Sequence, residues 1–80
     1  MQVPLLDLKA QYHAIKADVD QAVARVFESQ QFILGPAVQQ CEEKLAVYCG
    51  CPHAVGVSSG TDALLIALMA LDLKPGDEII

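Results

Sequence analysis

Cationic residues are scarce in this chain. Five Lys and Arg stand against ten Asp and Glu, which leaves a formal charge of −5 and a pI near 4.6. Binding a phosphate backbone needs clustered Lys and Arg, so no nucleic-acid partner is expected. Long apolar runs are missing too. The longest, residues 63–71, is about half of the ~18 residues a membrane span needs, and the N-terminus has no basic-then-apolar signal pattern. The expectation is a cytoplasmic protein with no membrane partner. Cysteine is equally uninformative as a scaffold: Cys41, Cys49 and Cys51 form an odd set without framework spacing. The run Cys49-Gly50-Cys51-Pro52-His53 lacks the separation and the second ligand pair of common zinc sites, so no metal is expected.

Apolar residues are plentiful by contrast. They make up 54% of an 80-residue chain, although a chain of that size buries only about 60% of its unfolded surface. Such a composition suits a segment from the interior of something larger.

Leu8, Tyr12, Ile15, Val19, Val23 and Val26 recur at spacings of three and four, with charged residues between them. This predicts an amphipathic helix of about 20 residues, capped by Asp7 and fraying by Ser29. Phe32-Ile33-Leu34-Gly35-Pro36 reads as an apolar connection ending in a turn, with Pro36 opening a second helix. Val38, Cys41, Leu45 and Tyr48 form that helix's apolar stripe, and Gly50 followed by Pro52 stops it. Residues 53–57 read as a short buried strand, and residues 78–80 as the opening of another. Between them lies a helix that is apolar on every face until Asp72, followed by a Lys74-Pro75-Gly76-Asp77 turn.

Strand, helix and strand in this order predict a βαβ unit, hence an α/β fold with a mostly parallel sheet. Leu64, Leu65, Ile66, Leu68, Met69 and Leu71 would together contribute about 9–18 kcal/mol if fully buried, an upper estimate that rivals the ~5–15 kcal/mol stability of a whole domain. Most of the surface needed to bury them is absent, so these residues are expected to be the N-terminal piece of a longer reading frame.

The strand-to-helix junction at Ser58-Ser59-Gly60-Thr61-Asp62 carries the chemistry. A helix start offers backbone N–H groups without intrahelical partners and the positive end of the macrodipole, which together favour an anion. Simple capping competes with that reading, because Ser59 precedes Asp62 by three residues. Capping accounts for Ser59 and Asp62. It leaves Gly60 unexplained, since glycine lowers helix propensity by about 1 kcal/mol but lets a ligand approach the backbone. Neither a dinucleotide fingerprint nor a P-loop fits the glycine spacing.

Four short stretches in order, DLKAQY at residues 7–12, FILGP at 32–36, SSGTDAL at 58–64 and PGDEII at 75–80, resemble the DegT/DnrJ/EryC1/StrS family of pyridoxal-phosphate-dependent enzymes, mainly sugar aminotransferases. The resemblance spans the whole chain. It implies the N-terminal part of a fold-type-I aminotransferase. Residues 1–35 would be an N-terminal helix and connection, and residues 36–80 the start of the large cofactor-binding α/β domain. The rest of that domain and the C-terminal domain would lie beyond.

It further implies a homodimer with active sites at the subunit interface, and pyridoxal 5'-phosphate held by Ser59, Gly60, Thr61 and Asp62. Gly60 and Thr61 would grip the phosphate through N–H groups and the Thr61 hydroxyl, with Ser59 shaping the turn. Asp62 would repel a phosphate, so its carboxylate is expected to face the helix cap or a subunit contact. Phe32, Ile33 and Gly35 would lie near the substrate. The implied reaction moves an amino group from a donor, typically glutamate, to a nucleotide-linked ketosugar.

No catalytic residue is expected within the chain. Lys9, Lys16, Lys44 and Lys74 lie on amphipathic helices or in a turn, and the family's Schiff-base lysine comes after residue 80. A sugar dehydratase of the same fold, and a non-catalytic protein that keeps the fold for regulation or oligomerisation, are the alternatives. His13, His53, Tyr12 and Tyr48 read as structural, and Cys41 stands where the family often carries a larger apolar residue.

Overall fold

The computed structural model describes residues 1–80 and contains three helices, α1 (Leu8–Ser29), α2 (Pro36–Cys49) and α3 (Gly60–Ala70). The chain divides into two compact units, Met1–Cys41 and Glu42–Ile80, and the division falls within α2.

In the first unit, Asp7 caps α1 as its residue type suggests, with Oδ1 accepting the Ala10 N–H at 3.0 Å. Lys16 and Asp20 pair one turn apart on its exposed surface. The hydrogen bond and charge of Asp20 raise the Lys16 ammonium above its ordinary pKa. The helix ends where Gln30 turns left-handed at φ 57°, and Ser29 Oγ and Gln30 Nε2 donate to the Val26 and Phe27 carbonyls at 2.9 and 2.6 Å. Side chains thus satisfy carbonyls that a helix end leaves open.

The connection to α2 is tightly built. Leu34 sits at φ 48°, a region that branched or bulky residues rarely enter. A Cβ on Gly35 would lie 2.5 Å from the Gln31 carbonyl oxygen, so only glycine fits there. The Gly35 carbonyl then accepts the N–H groups of Val38 and Gln39 at 3.1 and 3.3 Å, which starts α2.

In the second unit, α2 stops through a pair of bonds around Gly50, whose φ is +68°. The Gly50 N–H donates to the Val47 carbonyl at 3.1 Å and the Cys51 N–H to the Ala46 carbonyl at 2.9 Å, a Schellman arrangement. The stop signal read from Gly50 and Pro52 has this geometry behind it. After α3, Pro75 and Gly76 (φ +98°) form a turn closed by the Asp77 N–H on the Lys74 carbonyl at 3.0 Å and by the Lys74 N–H on Asp77 Oδ2 at 2.7 Å.

Three expectations need correction. Residues 53–57 and 78–80 are not strands, and the chain contains no β-sheet. A strand exists only through a ladder partner, and no segment of these 80 residues pairs with either stretch.

The apolar body of α3, expected to be buried, is not. Leu64, Leu65, Ile66, Leu68, Met69 and Leu71 are each 40–71% exposed, because covering such a helix requires surfaces on every side.

The proposed stripe of α2 is also misplaced. Cys41, Leu45 and Tyr48 are exposed and Val38 is half-buried, whereas Ala46, at 7% exposure, is the one buried residue. No helix is long and apolar enough to cross a membrane.

Candidate functional site

Local forces shape the start of α3. Ser59 is extended at φ −160° and ψ 166°, and its Oγ accepts the Asp62 N–H at 3.1 Å. The Ser59 carbonyl accepts the Ala63 N–H at 2.9 Å, the first full helical bond. Gly60 and Thr61 are therefore the first two helical residues, and their N–H groups precede any intrahelical acceptor.

A capping box would return the Asp62 carboxylate to the Ser59 N–H. Here that carboxylate accepts from the Ser58 hydroxyl instead, and Asp62 is half-buried. Half of the box is made, and the acidic group is engaged by its neighbour. An acid in the first turn also complements the helix dipole.

Gly60 has no structural reason to be glycine within this chain. It lacks a positive φ, and a Cβ built on it would meet nothing within 4 Å. The space where a Gly60 Cβ would stand is open. Two free N–H groups, a hydroxyl on Thr61 and a residue without a side chain form a cradle whose donors fit an oxyanion such as a phosphate. The residues present therefore suit the phosphate of the implied cofactor.

The other expected site residues belong to the first unit. The Phe32 ring meets Phe27 edge-on, 5.6 Å between centroids at 70°. Ile33 and Leu34 are exposed, and the connection borders an open hollow of about 570 Å³ reaching from Gln30 to Gln39. Gly35 has a backbone explanation in its clash distance to Gln31. Phe32, Ile33 and Gly35 thus share one loop, while Ser59, Gly60, Thr61 and Asp62 share one helix start.

Sequence reasoning missed Glu42. Its Oε1 accepts the Gly56 N–H at 2.8 Å, joining α2 to the extended segment that enters the α3 junction. No periodicity in the sequence marks such a contact; in the structure Glu42 is a half-buried acid on α2. His, Cys, Asp and Glu form no group of three that could hold a metal ion.

The model of the DegT/DnrJ/EryC1/StrS aminotransferase family matches residues 13–80. The chain is 51% identical, over 99% of its length, to dTDP-3-amino-3,4,6-trideoxy-alpha-D-glucose transaminase of Streptomyces venezuelae, of which it covers 21%. It is 45% identical, over all of its length, to erythromycin biosynthesis sensory transduction protein EryC1 of Saccharopolyspora erythraea, covering 22%. It is 42% identical, over 98% of its length, to UDP-2-acetamido-2-deoxy-3-oxo-D-glucuronate aminotransferase of Pseudomonas aeruginosa, again covering 22%. The chain thus spans about a fifth of the length of these relatives. No solved structure matches it significantly.

Proposed function

The chain belongs to the DegT/DnrJ/EryC1/StrS aminotransferase family, and from that premise we propose that it serves as the N-terminal part of a pyridoxal-phosphate-dependent enzyme that aminates a nucleotide-linked ketosugar. Glutamate is the proposed amino donor, and a cytoplasmic homodimer the proposed working form. The sheet expected of the fold would then be completed by chain outside residues 1–80. The observation that carries the reading is Gly60, whose absent side chain neither backbone conformation nor packing within the chain requires.

In this reading Gly60 and Thr61 bind the cofactor phosphate through their N–H groups, and the Thr61 hydroxyl adds a third donor. When bound, the cofactor supplies the electron sink for moving an amino group. Ser59 fixes where the helix begins, so the N–H groups point at the phosphate rather than fraying. Ser58 holds the Asp62 carboxylate, which limits its repulsion of the anion. Holding the phosphate is a positioning task; the reactive lysine and the acid beside the ring nitrogen would come from elsewhere in the full protein.

A full-length protein supplied with glutamate and a nucleotide-linked ketosugar should form the amino sugar, detected by mass spectrometry, and should gain a visible absorption band with the cofactor. Absence of both the band and the product would refute the proposal. A regulatory reading draws on the name of the Saccharopolyspora relative, a sensory transduction protein. It predicts no turnover with any ketosugar.

A further inference from the structure

We infer that Glu42 is a positioning residue for the helix start at Gly60 and Thr61; this rests on the reading of that start as a phosphate clamp. The Glu42 carboxylate accepts the Gly56 N–H at 2.8 Å across 14 residues of sequence, whereas the caps of α1 and α3 span three. Gly56 precedes Ser58 by two residues, so a bond at Gly56 fixes where the extended segment delivers the chain to the cap. Glycine has the most conformational freedom to lose, which makes it the residue whose direction an external acceptor most needs to set.

The acceptor is itself on a firm base. Glu42 lies in the middle of α2, one turn before the buried Ala46, whose carbonyl closes the Schellman bond to Cys51. One helix thereby holds both ends of the segment: Ala46 fixes its beginning at Cys51, and Glu42 fixes its far end at Gly56. A carboxylate oxygen makes a stronger bond to a backbone N–H than a neutral acceptor does, but reach matters first. Glutamate spans the gap to Gly56; a side chain one methylene shorter does not at the same backbone position.

The test uses the full-length protein as wild type, E42Q and E42D. Gln keeps an oxygen at the same reach, and Asp keeps the charge but withdraws it. Pyridoxal 5'-phosphate affinity is read by absorbance titration, and amide exchange of residues 56–62 by hydrogen–deuterium exchange without cofactor.

E42Q should bind within about twofold of wild type, while E42D should bind about tenfold more weakly and exchange faster at residues 56–62. E42D matching wild type in both readouts would overturn the role. So would tighter binding by E42Q, which would make Glu42 merely a repulsive charge. Should E42D fail to fold, the Gly56 amide of wild type decides: exchange at the unprotected rate overturns the bond itself. Wild type that protects Gly56 yet binds no cofactor would instead sink the clamp reading and leave the Glu42 contact standing.

Discussion

The Ser58 hydroxyl donates to the Asp62 carboxylate, while the Asp62 N–H donates to Ser59 Oγ at 3.1 Å. One acidic residue in the first turn of α3 is therefore tied to both serines before it. That arrangement reconciles an acid with an anion site. Ser58→Ala in the full-length protein should free the carboxylate and weaken pyridoxal 5'-phosphate binding by about 1 kcal/mol, the scale of a charge pair some 4 Å apart in water. Unchanged affinity in a titration would show that Ser58 leaves the electrostatics of the site alone.

Gly60 gives a separable prediction. In the full-length protein, Gly60→Ala should be neutral to stability or improve it by at most about 1 kcal/mol, since no atom obstructs the new Cβ. Cofactor affinity should fall by about 1–3 kcal/mol as the methyl group enters the space of the phosphate. Denaturation curves and cofactor titrations on the same preparation check both halves. Loss of stability with intact affinity would assign Gly60 to folding.

Gly35 should behave in the opposite way. Its Cβ would lie 2.5 Å from a backbone oxygen, an atom that cannot swing aside. In the full-length protein, Gly35→Ala should cost about 1–3 kcal/mol of stability in a denaturant titration. A variant as stable as wild type would mean that the Leu34–Gly35 turn relaxes freely.

The 80-residue chain by itself should show helical circular dichroism without a cooperative unfolding transition. Ala46 is its one buried residue, and the six large apolar side chains of residues 64–71 are exposed. Marginal stability arises from burial that outweighs chain entropy, and here that burial is lacking. A sharp transition from a monomer, with dispersed NMR resonances, would contradict this.

Much of the local structure was legible because its causes are local. Asp7 and Ser59 accept N–H groups three residues ahead, Gly50 turns left-handed, and Pro75-Gly76 closes its turn, all through groups adjacent in sequence. The strands at residues 53–57 and 78–80 were misread because a short apolar run bounded by turns becomes a strand only with a ladder partner, which these residues do not supply.

The α2 stripe failed for a related reason. Periodicity ranks positions by hydrophobicity, yet the side chain buried was the small Ala46, beside the carbonyl that closes the helix. Glu42 escaped notice because a contact across 14 residues leaves no spacing rule in the sequence. The α3 junction was legible as a cradle from Ser59 and Gly60, but local physics alone could not separate an anion site from a capped helix.

Thr61 provides the most direct test, by comparing titrations of the full-length apoprotein and its Thr61→Ala variant with pyridoxal 5'-phosphate and with unphosphorylated pyridoxal. If Gly60 and Thr61 grip the phosphate, the substitution weakens binding of the phosphorylated compound by about 1–3 kcal/mol, the range for hydrogen bonds to charged groups, and leaves pyridoxal binding unchanged. Equal losses for both compounds, or no loss for either, would contradict a phosphate clamp at the start of α3.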